Sequence, residues 1–189
     1  RKSDPFLMKK ILFIFLTACF FFSCEKETIV IPQQHAGRTV LAFFWADNSL
    51  NSNLRNNIRT MMQGLQAMKD SAALLVYWDG EASDISWPEP CIVEYVTNGQ
   101  GGINSLSKGT IDAMMADKNT SIYDLIGIGN IRKKYPPQTS TEKTVMQTVI
   151  GDMMSVYPSE SYGIIFGSHG SGWLPTITGT RSIGQDGGR

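Results

Sequence analysis

Residues 38–49 read Arg38-Thr39-Val40-Leu41-Ala42-Phe43-Phe44-Trp45-Ala46-Asp47-Asn48-Ser49, and they contain the clearest indication of the fold class. It opens with a nearly continuous apolar run, which is typical of a strand buried on both faces of a sheet. Three polar residues follow at the carboxyl end of the strand, where they can cap a following helix. The stretch therefore predicts the first strand of an α/β sheet.

A helix and a second strand are predicted directly after it. Between Leu50 and Met68 apolar residues recur at intervals of three and four, which indicates an amphipathic helix. Its core-facing stripe contains Leu54, Ile58, Met61, Met62, Leu65 and Met68. Residues 72–78 form a second buried-type strand that stops at Asp79-Gly80. This order is that of a βαβ unit, whose crossover is almost always right-handed.

The rest of the chain continues the alternation. We expect a strand over 91–97, a glycine-rich turn over 98–102, and short helices around 111–115 and 122–126. Thr139 and Glu142 have capping-box spacing before a helix with Val145, Val149, Met153 and Val156 on one stripe. Residues 162–167 predict another buried strand. Strands alternating with helices predict an α/β fold with a mainly parallel sheet, which binds ligands beyond the carboxyl ends of its strands.

The composition excludes several classes of function. The chain has 189 residues, with 17 Lys+Arg against 17 Asp+Glu and 2 His. Because the charges balance, nothing favours binding to nucleic acid. Two histidines are too few for a His-rich metal site.

The first residues have the pattern of an export signal. Met8 precedes Lys9-Lys10 and the apolar run 11–22, so we expect Met8 to be the true start and residues 1–7 to be upstream sequence or an artefact. Residues 8–23 are then a lipoprotein signal peptide, and Cys24 becomes the lipidated residue. Cys19 fits the consensus letters better, but it would leave an apolar terminus; cleavage without lipid is the other alternative. Residues 24–37 would tether the domain to the membrane of the cell envelope.

Cys91 is the third cysteine of the sequence, and it cannot form an internal disulfide once Cys19 and Cys24 belong to the signal. It follows Pro88-Glu89-Pro90 at the start of a strand. We interpret it as a small buried residue rather than a nucleophile.

His169 is the strongest candidate for chemistry. It directly follows a predicted strand and lies among glycine and serine, where a histidine is more often functional than structural. The backbone N–H of Gly170 could stabilise an oxyanion. Trp173 could form a pocket wall or could simply pack. The candidate substrate-binding residues are Asp47, Asn48, Ser168 and Trp173.

Residues 162–173, Tyr162-Gly163-Ile164-Ile165-Phe166-Gly167-Ser168-His169-Gly170-Ser171-Gly172-Trp173, resemble the histidine motif of the clostripain-like cysteine peptidases. These form the C11 family of the caspase–gingipain–legumain clan. Residues 39–50 resemble the first strand of the family, and residues 181–186 resemble the stretch after its histidine motif. The resemblance implies a caspase-like three-layer sandwich, incomplete in this chain, with residues 38–189 as the N-terminal part of the peptidase domain.

The resemblance also implies a mechanism. His169 corresponds to the histidine of a Cys-His dyad and Gly170 to the oxyanion-hole glycine, and family members cleave after Arg or Lys, some with calcium. The family cysteine lies on a later strand, and no cysteine follows Cys91. We therefore expect the catalytic thiol beyond Arg189, so that residues 1–189 alone are inactive.

Two other interpretations remain open. One is a non-catalytic envelope lipoprotein that uses the same fold as a binding module. The other is an α/β-hydrolase in which residues 169–172 form an oxyanion loop, although no Gly-x-Ser-x-Gly elbow follows.

Overall fold

The structure is a computed structural model, and it describes residues 36–70, 72–80, 89–117 and 121–169. All of these lie in one compact unit, Gln33–Arg189. The predicted signal peptide, both candidate lipidation cysteines, most of the tether, Gly170 and Trp173 lie outside the described residues.

Five strands and four helices are described in this part of the chain. In chain order they are β1 (Ala36–Ala46), α1 (Asn51–Ala67), β2 (Ala72–Gly80), β3 (Cys91–Val96), α2 (Lys108–Met114), α3 (Ile122–Ile128), β4 (Asn130–Lys134), α4 (Lys143–Val156) and β5 (Ser159–Gly167).

The strands form one sheet in the order β4-β3-β2-β1-β5. β1 pairs in parallel with β2 and with β5, whereas the β2–β3 and β3–β4 pairs are antiparallel. The predicted α/β fold is confirmed, and its sheet is mixed, with β3 alone reversed. The reason lies in the connections, since a parallel crossover needs about a dozen residues or more and only residues 81–90 separate β2 from β3.

The sheet carries a separate apolar core on each face. Alternate residues of β1 point to opposite faces, so Ala42 and Phe44 pack with α1, α2 and α3, while Phe43 and Trp45 pack with α4. Helices on both sides of a sheet give the three-layer sandwich that the family resemblance implies. α1 buries Leu54, Ile58, Met62 and Leu65, whereas Met68 follows the helix and is exposed.

Two sequence predictions are wrong in detail, and one strand has no predicted counterpart. α4 begins after Glu142, which makes no side-chain capping bond, so Thr139 and Glu142 do not form a capping box. β4 was not predicted, because all five of its residues are exposed and carry no apolar pattern. β5 was predicted to be buried, yet Ile164, Ile165 and Phe166 are 42–45% exposed on its two faces.

Candidate active site

The described structure brings the ends of β1, β2 and β5 to one edge of the sheet. Trp45 is level with Asp79 on β2, and Phe44 is level with Gly167 on β5. Because the three strands are parallel, their carboxyl ends meet at this edge. The loop after β1, with Asp47 and Asn48, therefore lies beside His169, as the sequence predicts.

The loop between β1 and α1 is held by hydrogen bonds of its own residues. The side chain of Asn48 donates to the carbonyl of Trp45 (2.6 Å) and accepts from the backbone N–H of Leu50 (2.9 Å). The backbone N–H of Asn51 donates to the carbonyl of Asn48 (3.1 Å), and its side chain donates to the carbonyl of Ala46 (3.1 Å). Leu50 is the N-cap and makes no side-chain bond. The polar residues thus shape the loop rather than cap α1, which corrects the prediction.

His169 contacts this loop through Ser49. The Nε2 atom of His169 lies 2.8 Å from the hydroxyl oxygen of Ser49, at hydrogen-bond distance across 120 residues of sequence. Sequence reasoning treated Ser49 only as part of a capping segment and missed this contact. The sequence gives no signal for this contact, because it depends on the parallel pairing of β1 with β5.

Gly167 allows β5 to pack close to β1, which places His169 near the loop after β1. A Cβ atom at Gly167 would lie 2.5 Å from Cδ1 of Phe44 and 2.7 Å from Cδ2 of Leu54. Such distances are well inside van der Waals contact. Glycine is therefore required here by the close approach of β5 to β1 and α1, two residues before the histidine.

Asp79 lies at the same edge but serves a different contact. Its carboxylate is 1% exposed and accepts a hydrogen bond from the hydroxyl of Ser140 (2.5 Å). The Ser140 oxygen is in turn 2.7 Å from the Tyr77 hydroxyl, which accepts from the Gln138 amide (3.0 Å). The described contacts therefore tie Asp79 to the turn before α4.

Cys91 is buried at the start of β3, as the sequence predicts. β3 is three strand positions away from β5, which at the usual spacing between strands is about 14 Å. A buried thiol at this distance cannot reach the ring of His169. Cys91 is therefore a core residue and no partner for this histidine.

The other predicted site residues divide into two groups. Asp47 and Ser168 are half-buried at the edge where His169 lies, and Gly170 and Trp173 are outside the described residues. Within the described ranges no three His, Cys, Asp or Glu side chains are grouped so as to hold a metal ion. No described helix is long and apolar enough to cross a membrane.

Comparisons with known proteins agree with this geometry. A family model described as the clostripain family matches residues 42–189. A cysteine protease of B. fragilis is 27% identical, with a TM-score of 0.51 over 77% of this chain and 98% of its own. A clostripain of Bacteroides thetaiotaomicron, solved with a peptide inhibitor, is 17% identical, with a TM-score of 0.51 over 75% of this chain and 97% of its own.

A longer solved structure also shares the fold. The secreted C11 cysteine protease iotapain, also from Bacteroides thetaiotaomicron, is 16% identical, with a TM-score of 0.51 over 74% of this chain and 32% of its own. No curated protein gives a significant match. Because the family model covers most of the sequence and the sheet has the same fold as these proteases, the chain belongs to the clostripain family of C11 cysteine peptidases.

Proposed function

We propose that this chain carries the histidine half of an endopeptidase site and that His169 is its general acid–base residue. The observation that carries the proposal is the position of His169, directly after β5 and 2.8 Å from Ser49 of the loop after β1. A polar group at the joined carboxyl ends of parallel strands is where α/β sheets bind ligands. Family membership supports peptide bonds as the target.

The thiol comes, in this proposal, from a further strand of the protein that pairs with the outer edge of β5. The exposed apolar side chains of Ile164, Ile165 and Phe166 support this, because an edge strand facing water rarely carries such residues on both faces. The sequence to Arg189 contains no cysteine after Cys91, so the nucleophile is expected beyond it. A strand next to β5 would bring its carboxyl end beside His169.

The reaction then follows from the two side chains. His169 takes the proton of the cysteine thiol, and the thiolate adds to the carbonyl carbon of the peptide. The oxyanion of the tetrahedral intermediate accepts a hydrogen bond from the backbone N–H of Gly170. As the C–N bond breaks, His169 gives its proton to the leaving amine, and water hydrolyses the remaining thioester.

The substrate is proposed to be a peptide with Arg or Lys before the cleaved bond. Ser168 precedes His169 in the sequence, and Asp47 lies in the loop after β1 at the same edge of the sheet, so both would contact the bound peptide. Asn48 would act indirectly, through the loop that it shapes. Trp173 would form a wall of the pocket. The family resemblance implies that calcium assists some members of the family.

The test is turnover of Arg and Lys amide substrates by the complete protein and its His169→Ala variant. Removal of the acid–base group should reduce kcat by roughly 10³-fold or more, while thermal unfolding changes little because His169 is partly exposed. His35→Ala removes the other histidine of the sequence and is the matched control. Unchanged turnover in His169→Ala would refute the assigned role.

A second measurement separates the chemistry from the specificity. The complete protein should contain a strand ending in cysteine, and replacing that cysteine should abolish turnover as His169→Ala does. If no such cysteine exists, the non-catalytic binding module becomes the better reading. If cleavage occurs after residues other than Arg or Lys, the dyad stands and the proposed specificity is wrong.

Export is proposed on the sequence of residues 8–23, with a lipid on Cys24 that anchors the protein to the membrane. Radiolabelled palmitate should label the complete protein in its host and should be lost in Cys24→Ala. Label lost in Cys19→Ala instead would assign the lipid to the other cysteine.

A further inference from the structure

We infer that Ser49 is a positioning residue for His169: its hydroxyl accepts the Nε2–H of the ring, so that Nδ1 is left unprotonated to receive the thiol proton. The inference rests on the proposed function of His169. It adds a residue that sequence reasoning did not connect with the histidine.

A neutral imidazole has two ring nitrogens, of which one donates a hydrogen bond and the other accepts one. Nε2 lies 2.8 Å from Ser49 Oγ, and Nδ1 has no hydrogen-bond partner among the described residues. The nitrogen that takes the thiol proton must be an acceptor and must be accessible. Nδ1 meets both conditions only when the ring hydrogen is on Nε2, and the Ser49 hydroxyl must then accept.

The position of Ser49 is fixed by its neighbours in the loop. Asn48 bonds to Trp45 and Leu50, and Asn51 bonds back to Ala46 and Asn48. Ser49 itself is exposed, and α1 is not capped by a side chain, so its hydroxyl is available to the histidine. A partner held in place by its own loop costs little additional ordering when it binds the ring.

A hydroxyl at this position differs electrostatically from a carboxylate. A carboxylate beside the ring would both orient it and stabilise the imidazolium, as in Ser-His-Asp triads. A neutral hydroxyl orients the ring and selects its tautomer with a weaker electrostatic effect. Ser49 is thus expected to act on the rate of the chemical steps more than on substrate binding.

The first test reads the tautomer directly and needs no catalysis. The ring of His169 is assigned in nitrogen NMR spectra of the labelled complete protein as the signal that disappears in His169→Gln and persists in His35→Gln. When the ring is neutral, His169 should be in the Nε2–H form. Ser49→Ala should shift it toward the mixture of both forms seen in free histidine, and Ser49→Thr should restore it.

The second test measures turnover of the complete protein. Ser49→Ala should lower kcat roughly 3- to 10-fold with little change in KM, since one exposed hydrogen bond is lost. Ser49→Thr should recover most of the loss. Ser52→Ala removes a nearby exposed serine of α1 and should leave kcat unchanged.

The outcomes distinguish this inference from the proposed function. An Nδ1–H tautomer in the wild-type protein, or a tautomer and kcat that do not respond to Ser49→Ala, overturns the role of Ser49. Loss of turnover in His169→Ala would then still support the acid–base role of the histidine. Full turnover in His169→Ala refutes the proposed function, whatever the tautomer.

Discussion

Gly167 is the residue whose side chain, or lack of one, sets how closely the histidine strand approaches its neighbours. It stands two positions before His169, and Phe44 and Leu54 occupy the space into which a Cβ atom would project. Neither neighbour can move freely, since both are buried in the core on the α1 face. A change at Gly167 should therefore be transmitted to the site as a displacement of the strand end.

We predict that Gly167→Ala destabilises the protein by about 1–3 kcal/mol, the usual cost of overpacking a core. It should also lower kcat, because a displaced β5 moves His169 away from Ser49. Urea unfolding and amide turnover of the complete protein measure the two effects.

Gly163→Ala is the matched control, since Gly163 lies on the same strand and a Cβ atom there would meet nothing within 4 Å. It should keep full turnover and should be neutral or slightly stabilising. Equal effects of the two substitutions would show that the packing around Gly167 is not what positions the histidine.

His169 and Ser49 also show how much of a site can be predicted from the sequence. His169 could be identified because it follows an apolar strand and stands among glycines. Ser49 could not, because its role depends on the pairing of β1 with β5, which joins residues 120 positions apart. A loop serine has no pattern of its own that distinguishes a contact with a histidine from contact with water.

At the scale of elements, a chain of four hydrogen-bonding groups ties the end of β2 to the turn before α4. The Ser140 hydroxyl donates to Asp79, so the Tyr77 hydroxyl donates to Ser140, and the Gln138 amide donates to Tyr77. Every donor in this series of hydrogen bonds thus points toward the buried carboxyl group of Asp79. Such bonds are needed because burying a charge without them is costly.

We predict that Ser140→Ala lowers the free energy of unfolding by about 1–3 kcal/mol, because it removes the hydroxyl that bonds to both Asp79 and Tyr77. Ser155→Ala is the control. Its hydroxyl bonds to the Gly151 carbonyl on the exposed side of α4, so the change should be within about 0.5 kcal/mol. Chemical denaturation of both variants measures the two changes in the free energy of unfolding. Similar losses of stability would contradict the role assigned to the buried series of hydrogen bonds.

The elements themselves were largely predictable, for a physical reason. α1 is observed at Asn51–Ala67, close to the predicted Leu50 to Met68. The prediction succeeds because the apolar residues that the helix buries recur in the sequence at intervals of three and four. β4 could not be predicted because all residues of Asn130–Lys134 are exposed and the strand is held by pairing with β3. Pairing with a distant strand leaves no periodic signal in a polar segment.

At the scale of the whole molecule, the two edges of the sheet are built differently. β4 at one edge contains Arg132, Lys133 and Lys134 and has an irregular register against β3, both of which discourage pairing with another strand. β5 at the other edge has apolar side chains on both faces and no lysine or arginine. The contrast supports the proposal that a further strand of the complete protein pairs with β5 and not with β4.

A cavity on the α1 face supports the same conclusion. It has a volume of about 380 Å³ and is lined mainly by apolar side chains, including Val40, Met61, Leu65 and Ile165. Ile165 thus borders open space beside β5. The further strand that is proposed to pair with β5 would cover these side chains and would account for an apolar pattern that predicts burial where the described structure has exposure.

A pair of substitutions tests whether β5 is covered in the complete protein. Ile165 on β5 and Ile131 on β4 are almost equally exposed in the described structure, at 43% and 40%. If a further strand covers β5, Ile165→Lys places a charge in a buried site and should cost about 2–4 kcal/mol, whereas Ile131→Lys should cost less than about 0.5 kcal/mol. Thermal unfolding of residues 1–189 alone should give similar shifts for both. Similar shifts in the complete protein as well would mean that β5 remains an edge, and the strand that is proposed to bring the catalytic thiol to His169 would have to lie elsewhere.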